Sequence, residues 1–384
     1  MATFRKRNDK WEYRVSYLDK ASGKHKQKSK SGFKTKKEAQ LAAAKVEEEL
    51  NYNGTYREDG EEKVDKYFTE WLEVFKRPNL KPITYSLQER NVRLNIIPRW
   101  GNYKLKDINR LEYQKWIIEL RKHYSEGTVR RIHSIFNSAI FDAVHEYKIL
   151  KENPIQKIKI PKETNNNREL FYFTIEQLEQ FLEATKKTMK NAKYQKSTQY
   201  YCLFSLMART GIRIGEALAL TWDDIDLNNQ MLSINKTLVY PTNSTPYIST
   251  PKSKASVREI KIDDKTVSIL RSHKINRYEV CLAYENYKRP QTNIVFFQQD
   301  GRWLRTNVVR EYFKEVCKRE NLPVLSPHAL RHSHAIHLIE AGVDIKYVST
   351  RLGHASVKIT ADTYVHVTKK IEDSALDLYQ RYVK

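Results

Sequence analysis

The sequence predicts a multidomain α+β chain. It has a small N-terminal three-stranded sheet plus one helix, a helical middle domain, and a mostly α C-terminal domain with a small antiparallel sheet. Three observations carry this expectation. At 384 residues the chain is too long for one ordinary domain. Its apolar pattern changes from a two-residue alternation near the N-terminus to helical spacing in the middle, then to both in the last two hundred residues. Between 148 and 170, Pro154, Pro161 and the polar run Glu163–Arg168 break any periodicity.

Taken in order, Trp11–Tyr17 alternates like a half-buried strand, Ala21–Lys24 reads as a turn, and Lys26–Lys30 reads as a second, exposed strand. Thr35 through Asn51 reads as a helix, with Ala39, Leu41, Ala42, Val46 and Leu50 as its apolar positions. Residues 1–37 hold 13 Lys+Arg against 3 Asp+Glu, so a tiny sheet with a basic face and a helix behind it is expected over 1–60. Residues 61–160 read as four helices. The first carries Val64, Phe68, Trp71, Leu72 and Phe75 and stops before Pro78. The second runs from Thr84 to Ile97 and ends near Pro98 and Gly101, the third covers Arg110–Lys122, and the fourth covers Gly127–Tyr147. The linker proper is expected at 161–170. Thr174 and Gln177 then have the form of a capping box that opens a domain running from 171 to 384.

Lys+Arg number 69 against 46 Asp+Glu, a net charge of +23. Such an imbalance strains a compact fold by self-repulsion, and a polyanion relieves it. Basic residues occur in every part of the chain together with 24 tyrosines, which favours nucleic acid over a merely cationic soluble protein. No run approaches the ~20 apolar residues of a membrane helix, and the sequence after Met1 is polar rather than a secretory signal. Cys202, Cys281 and Cys317 are few and far apart, as expected for a reducing cytoplasm and not for a disulfide framework or a zinc site.

Four stretches of the last domain bear chemistry. In Thr210–Leu218, Arg213 opens a helix after Gly211, and Glu216 one turn later can hold it; alone, such a pair is usually structural. In Thr250–Ile260, Lys252 and Lys254 lie on a loop joining the strand-like runs Met231–Leu238 and Val257–Ile262, where a hairpin tip could bring a lysine to a phosphate. In Ser326–His334, Ser326 caps a helix with Pro327 at its first position, and His328 and Arg331 share a face near the positive end of the helix dipole. A metal site at His328, His332, His334 and His337 is the rival reading there. It lacks a matching carboxylate or Cys, and Arg331 would put a cation among the ligands. In Leu352–Val367, His354 precedes Tyr364 by ten residues.

Arg, Lys, His-x-x-Arg, Gly-His and Tyr in this order resemble the tyrosine recombinases, in particular integrases of phages and conjugative transposons of Gram-positive bacteria. The resemblance covers the whole chain. It implies an arm-type DNA-binding domain at 1–60, a helical core-binding (SAM-like) domain at 61–160 and a catalytic domain at 171–384. The implied active site is Arg213, Lys252, His328, Arg331, His354 and the nucleophile Tyr364, with Glu216 supporting Arg213. The interval from His354 to Tyr364 is one residue longer than in many members. A 3′-phosphotyrosine intermediate conserves the phosphoester bond, so no cofactor and no metal are expected. The expected partners are double-stranded DNA at core and arm attachment sites, three further copies of the chain in a homo-tetramer on DNA, and an excisionase and a host DNA-bending protein. Residues 371–384, with Ala375, Leu376, Leu378 and Tyr379 at helical spacing, are expected to dock on a neighbouring protomer. The alternatives are a resolvase, a type IB topoisomerase-like enzyme, or a DNA-binding regulator without catalysis.

Overall fold

The computed structural model describes residues 2–19, 24–53, 60–162, 172–186, 196–241, 245–251, 254–283 and 292–364, with Lys288, Pro290, Gln380 and Val383. The chain forms two compact units, residues 1–164 and 165–384.

The first unit opens with an antiparallel meander of β1 (Ala2–Arg7), β2 (Lys10–Asp19) and β3 (Lys24–Phe33). Asn8 and Asp9 both have positive φ, as a two-residue turn matched to strand twist requires. Gly32, at φ +107, takes up the register break opposite Trp11 and Glu12. α1 (Lys36–Asn53) covers one face, packing Ala43 and Val46 on Tyr13 and Val15. Leu41, expected on the apolar stripe, points outward and is 62% exposed.

The register decides which basic residues the open face carries. Residues directly opposite in a ladder share a face, and Lys30, Lys28 and Lys26 stand opposite Tyr13, Val15 and Tyr17. These lysines therefore belong to the helix side. The open face carries Arg5, Arg7, Lys10 and Arg14 against Glu12, with Thr3, Ser16, Leu18, His25, Gln27, Ser29 and Ser31.

The rest of the unit is helical: α2 (Val64–Trp71), α3 (Pro82–Asn91), α4 (Ile97–Trp100), α5 (Arg110–His123) and α6 (Glu126–His145). Phe68, Trp71, Trp100, Tyr113 and Phe136 form its buried centre. The second helical stretch stops at Gly101, one of its two expected ends, but Pro98 does not break it. A π-helical turn over Val92–Ile96 shifts the ladder, with Ile97 N–H bonding Val92 O, so Pro98 sits in the first turn of α4, where its missing N–H costs nothing.

The second unit begins at the expected capping box. Thr174 N donates to Gln177 Oε1 at 3.1 Å, and Gln177 N donates to Thr174 Oγ1 at 3.2 Å. α7 (Ile175–Lys186), α8 (Lys196–Thr210) and α11 (Thr306–Arg319) enclose Phe181, Phe204 and Phe313, with Phe173 ahead of α7 stacked on the same cluster. α9 (Ile214–Ala219) follows α8, and α10 (Asp264–Ala283) follows the strands. The expected hairpin is in fact two ladders. β4 (Ile225–Asp226), β5 (Met231–Ile234) and β8 (Arg258–Lys261) form one sheet, while β6 (Thr237–Val239) pairs with β7 (Tyr247–Ser249). The run 231–238 is thus interrupted at Asn235 and Lys236, whose side chains bond Asp224 and Thr221. Val257 lies outside β8 and is exposed. α12 (His328–Glu340), α13 (Ile345–Leu352) and α14 (Val357–Tyr364) close the unit.

Candidate active site

The polypeptide turns at Gly211 (φ +67) between α8 and α9. Arg213 stands in the N-cap place of α9, and Glu216 is three residues on. The Glu216 carboxylate accepts from Arg213 N at 2.9 Å and from Arg213 Nη1 at 2.8 Å. It also accepts from Arg258 Nη2 at 3.0 Å. Burial pushes this carboxyl upward, but the charge and hydrogen bond of Arg258, with those of Arg213, outweigh it and hold Glu216 below its usual value. One buried anion therefore fixes two guanidinium groups.

α12 begins with Pro327 in the N-cap place, one residue later than expected for Ser326. The first turn closes through Ala329 N to Ser326 O at 2.8 Å. Arg331 is 1% exposed. Its Nη1 donates to Gly211 O at 2.8 Å, and its Nη2 is buried with no hydrogen-bond partner. Burial and the neighbouring charge of Arg213 lower its affinity for its proton, to a pKa of about 9. A guanidinium so placed gains from any anion that reaches it.

α13 ends at Gly353 in the left-handed conformation, and His354 follows. Its Nδ1 lies 2.8 Å from Thr360 Oγ1 of α14. Tyr364, the last residue of α14, is 2% exposed. The charge of Arg331 acts on Tyr364 and His354, and Arg213 acts on His328 and His354, so the five side chains share one electrostatic neighbourhood. Burial lowers His328 and His354 to about 4, assisted by His332 and Arg331 for the first and by Arg331 and Arg213 for the second. Burial raises Tyr364 to about 12, against the pull of Arg331. With no anion bound, the pocket thus holds neutral imidazoles, a protonated phenol and a surplus of guanidinium charge.

The four clustered histidines have separate partners. His332 Nδ1 is 3.1 Å from Tyr364 Oη, His334 Nε2 accepts from Arg351 Nε at 3.0 Å, and His337 Nε2 is 3.0 Å from Phe173 O. His328 lies against His332 with ring centroids 4.8 Å apart. Lys252 lies outside the described residues, between β7 and β8 in sequence, and of Lys254 only the backbone is described.

The sequence pattern of the phage integrase family matches residues 172–370, and those of an arm DNA-binding domain and a phage integrase N-terminal SAM-like domain match 3–50 and 63–121. The chain is 30% identical over 363 residues to a tyrosine recombinase XerC-like protein of Caldanaerobacter subterraneus subsp. tengcongensis, covering 90% of this chain and 89% of that one. The chain belongs to the phage integrase family. It is a tyrosine recombinase, an enzyme of site-specific DNA recombination. It is also 30% identical over 308 residues to the ICEBs1 integrase of Bacillus subtilis, covering 78% of each chain. In fold it is similar to the Tn1549 transposon integrase solved with transposon right end DNA, at a TM-score of 0.69 and 22% identity over 84% of this chain and all of that one. A lambda integrase dimer on a core site matches at a TM-score of 0.58 and 15% identity, covering 94% and 93%.

Two residues of this recombinase's pocket escaped the sequence reading. Arg258 shares Glu216 with Arg213, and its Nε donates to Arg351 O at 2.7 Å. Its signal was the alternation in β8: Arg258 has the parity of buried Ile260, hence an inward position. His332, read as a packing residue, meets the Tyr364 hydroxyl. Its signal was the spacing of four from His328, which puts both on one helix face.

Proposed function

We propose that this recombinase integrates and excises a mobile element by forming a 3′-phosphotyrosine link through Tyr364. The observation that carries the reading is that Arg331, whose Nη2 is buried without a hydrogen-bond partner, exerts its charge on the buried phenol of Tyr364. Arg213 and Arg331 would grip the non-bridging oxygens of the scissile phosphate and offset the charge gained in the transition state. His328 would take the phenol proton once the negative phosphate beside it raises its basicity, and His332, whose Nδ1 lies 3.1 Å from Tyr364 Oη, is the imidazole already within hydrogen-bond reach of the phenol. The two guanidinium groups favour the phenolate once the phosphate brings the phenol among them. His354 would donate a hydrogen bond to the phosphate, and Lys252 would protonate the departing 5′ oxygen. Glu216 holds Arg213, together with Arg258. A partner strand's 5′-hydroxyl then displaces Tyr364, so phosphoester energy is kept and no ATP is spent.

The domain division we propose is 1–60 for the arm site, 61–160 for the core site, 161–170 as linker and 171–384 for catalysis. Strand exchange between two duplexes calls for a tetramer on DNA, with residues 371–384 docking on a neighbour; that segment lies outside the described residues save Gln380 and Val383. An excisionase and a host DNA-bending protein would set direction, and the enzyme would work in the cytoplasm, on DNA. Among the described residues no helix is long and apolar enough to cross a membrane.

A nicked suicide substrate tests the reading. Wild-type protein should accumulate a covalent protein–DNA adduct at the 3′ phosphate, and Tyr364→Phe should form none while still binding. An undiminished adduct in that variant overturns the assignment.

A further inference from the structure

On the open face of the N-terminal sheet, one carboxylate sits between two arginines. Glu12 is 8% exposed, and its Oε2 and Oε1 accept from Arg5 Nε at 2.8 Å and from Arg14 Nε at 3.0 Å. Arg5 stands directly opposite Glu12 on β1, and Arg14 is two residues along β2, so all three share the face away from α1. The side chains of Arg5 and Arg14 remain 49% and 34% exposed. Around them are Thr3, Ser16, Gln27, Ser29 and Ser31, with Arg7 and Lys10 toward the β1–β2 turn; neither Arg7 nor Lys10 has a bond to Glu12, whose two oxygens hold Arg5 and Arg14.

The bonding mode matters. Glu12 takes the Nε edge of each guanidinium, and the Nη1 and Nη2 atoms are not used in those two bonds. A guanidinium steadied on one edge keeps two donors for a planar acceptor pair, and guanine offers such a pair, O6 and N7, in the major groove. That groove admits a β-ribbon. Lysines on phosphates give affinity without sequence information, while rigid forks on base edges give specificity. The lysines of β3 lie on the helix side of the sheet, away from this face.

We propose that Arg5 and Arg14 are the guanine-reading residues of the arm domain and that Glu12 is the positioning residue holding both forks. Arg5 and Arg14 are diagonal neighbours on the face, about 7–8 Å apart, and base pairs are about 3.4 Å apart along a strand. The two guanines therefore lie about two base pairs from each other. The proposal rests on the DNA-recombinase reading given above.

The test selects binding sites for the full-length protein from a randomised duplex library. It then compares the selected site with a copy whose guanine pair is changed to adenine. Wild type should prefer the guanine site by about ten- to a hundredfold. Arg5→Lys and Arg14→Lys keep the charge and lose the fork, so each should lose the preference at its own guanine while keeping affinity for unrelated DNA. Glu12→Gln should lose preference at both positions together. A selected site without the guanine pair overturns the proposal, as does an intact preference in the lysine variants. The suicide-substrate adduct of the wild type is scored in parallel; an adduct formed with no guanine preference sinks this proposal alone.

Discussion

At the scale of single residues, the pocket stores charge in one direction. Arg213, Arg258 and Arg331 surround a single buried carboxylate, and the imidazoles beside them are held neutral. The sign of the consequence follows from linkage. A histidine whose folded pKa lies below its unfolded value binds fewer protons folded than unfolded, so stability falls as pH drops from about 6.5 toward the folded value. His328 and His354, at about 4, should therefore weaken the DNA-free protein across that window. The expected outcome in a proton-detected titration is that His328 titrates near 4 without DNA and moves upward when a phosphate enters the pocket. A free-protein titration near 6.5 would contradict it. Arg213, Glu216, His328, Arg331, His354 and Tyr364 were legible in the sequence through their order and spacing. His332 and Arg258 were not, because one is hidden among four histidines and the other sits in a short strand where a charged residue reads as solvent-facing.

At the scale of elements, the turn at Gly211 sets the pocket. Gly211 joins α8 to α9 at φ +67, and its carbonyl anchors Arg331. A Cβ there would stand 2.6 Å from Leu352 Cδ2 and 2.8 Å from His334 Cδ2. Gly211→Ala thus meets both a strained backbone and two side chains of a packed core. It should cost more than about 1 kcal/mol of stability and slow cleavage by displacing Arg331. Thermal melting and single-turnover cleavage on the suicide substrate check the two effects, and an unaltered melting curve would refute the first. Helices with strong apolar periodicity, such as α2, α5 and α6, were readable because burial of one face writes itself into spacing. The errors arose where hydrogen bonding overrode the pattern. The π-helical turn accommodated Pro98, the run 231–238 was split between two sheets at the polar pair Asn235 and Lys236, and the face of Lys26, Lys28 and Lys30 depended on a register that no single strand reveals.

At the scale of the whole molecule, the net charge of +23 must be matched by something. The described acids are largely engaged with local partners, as Glu61 is with Lys104 and Lys106, Glu73 with Arg77 and Tyr85, and Asp263 with Arg209. These short-range pairs do not alter the excess, which acts at longer range and is screened by salt within about 10 Å at 0.1 M. Binding to DNA by release of condensed counterions gives a linear fall of log K with log salt, with a slope of about −0.9 for each phosphate neutralised. If arm and core domains together neutralise on the order of six to ten phosphates, affinity for a full attachment site should fall about 10³–10⁵-fold between 50 and 200 mM salt. A duplex carrying only the core site should show a shallower slope, because the arm domain then has no phosphates of its own to neutralise. Fluorescence anisotropy over that salt range measures both slopes. Equal slopes on the two duplexes would mean that residues 1–60 add nothing to the grip on DNA, and the division of labour between sheet and helices would have to be abandoned.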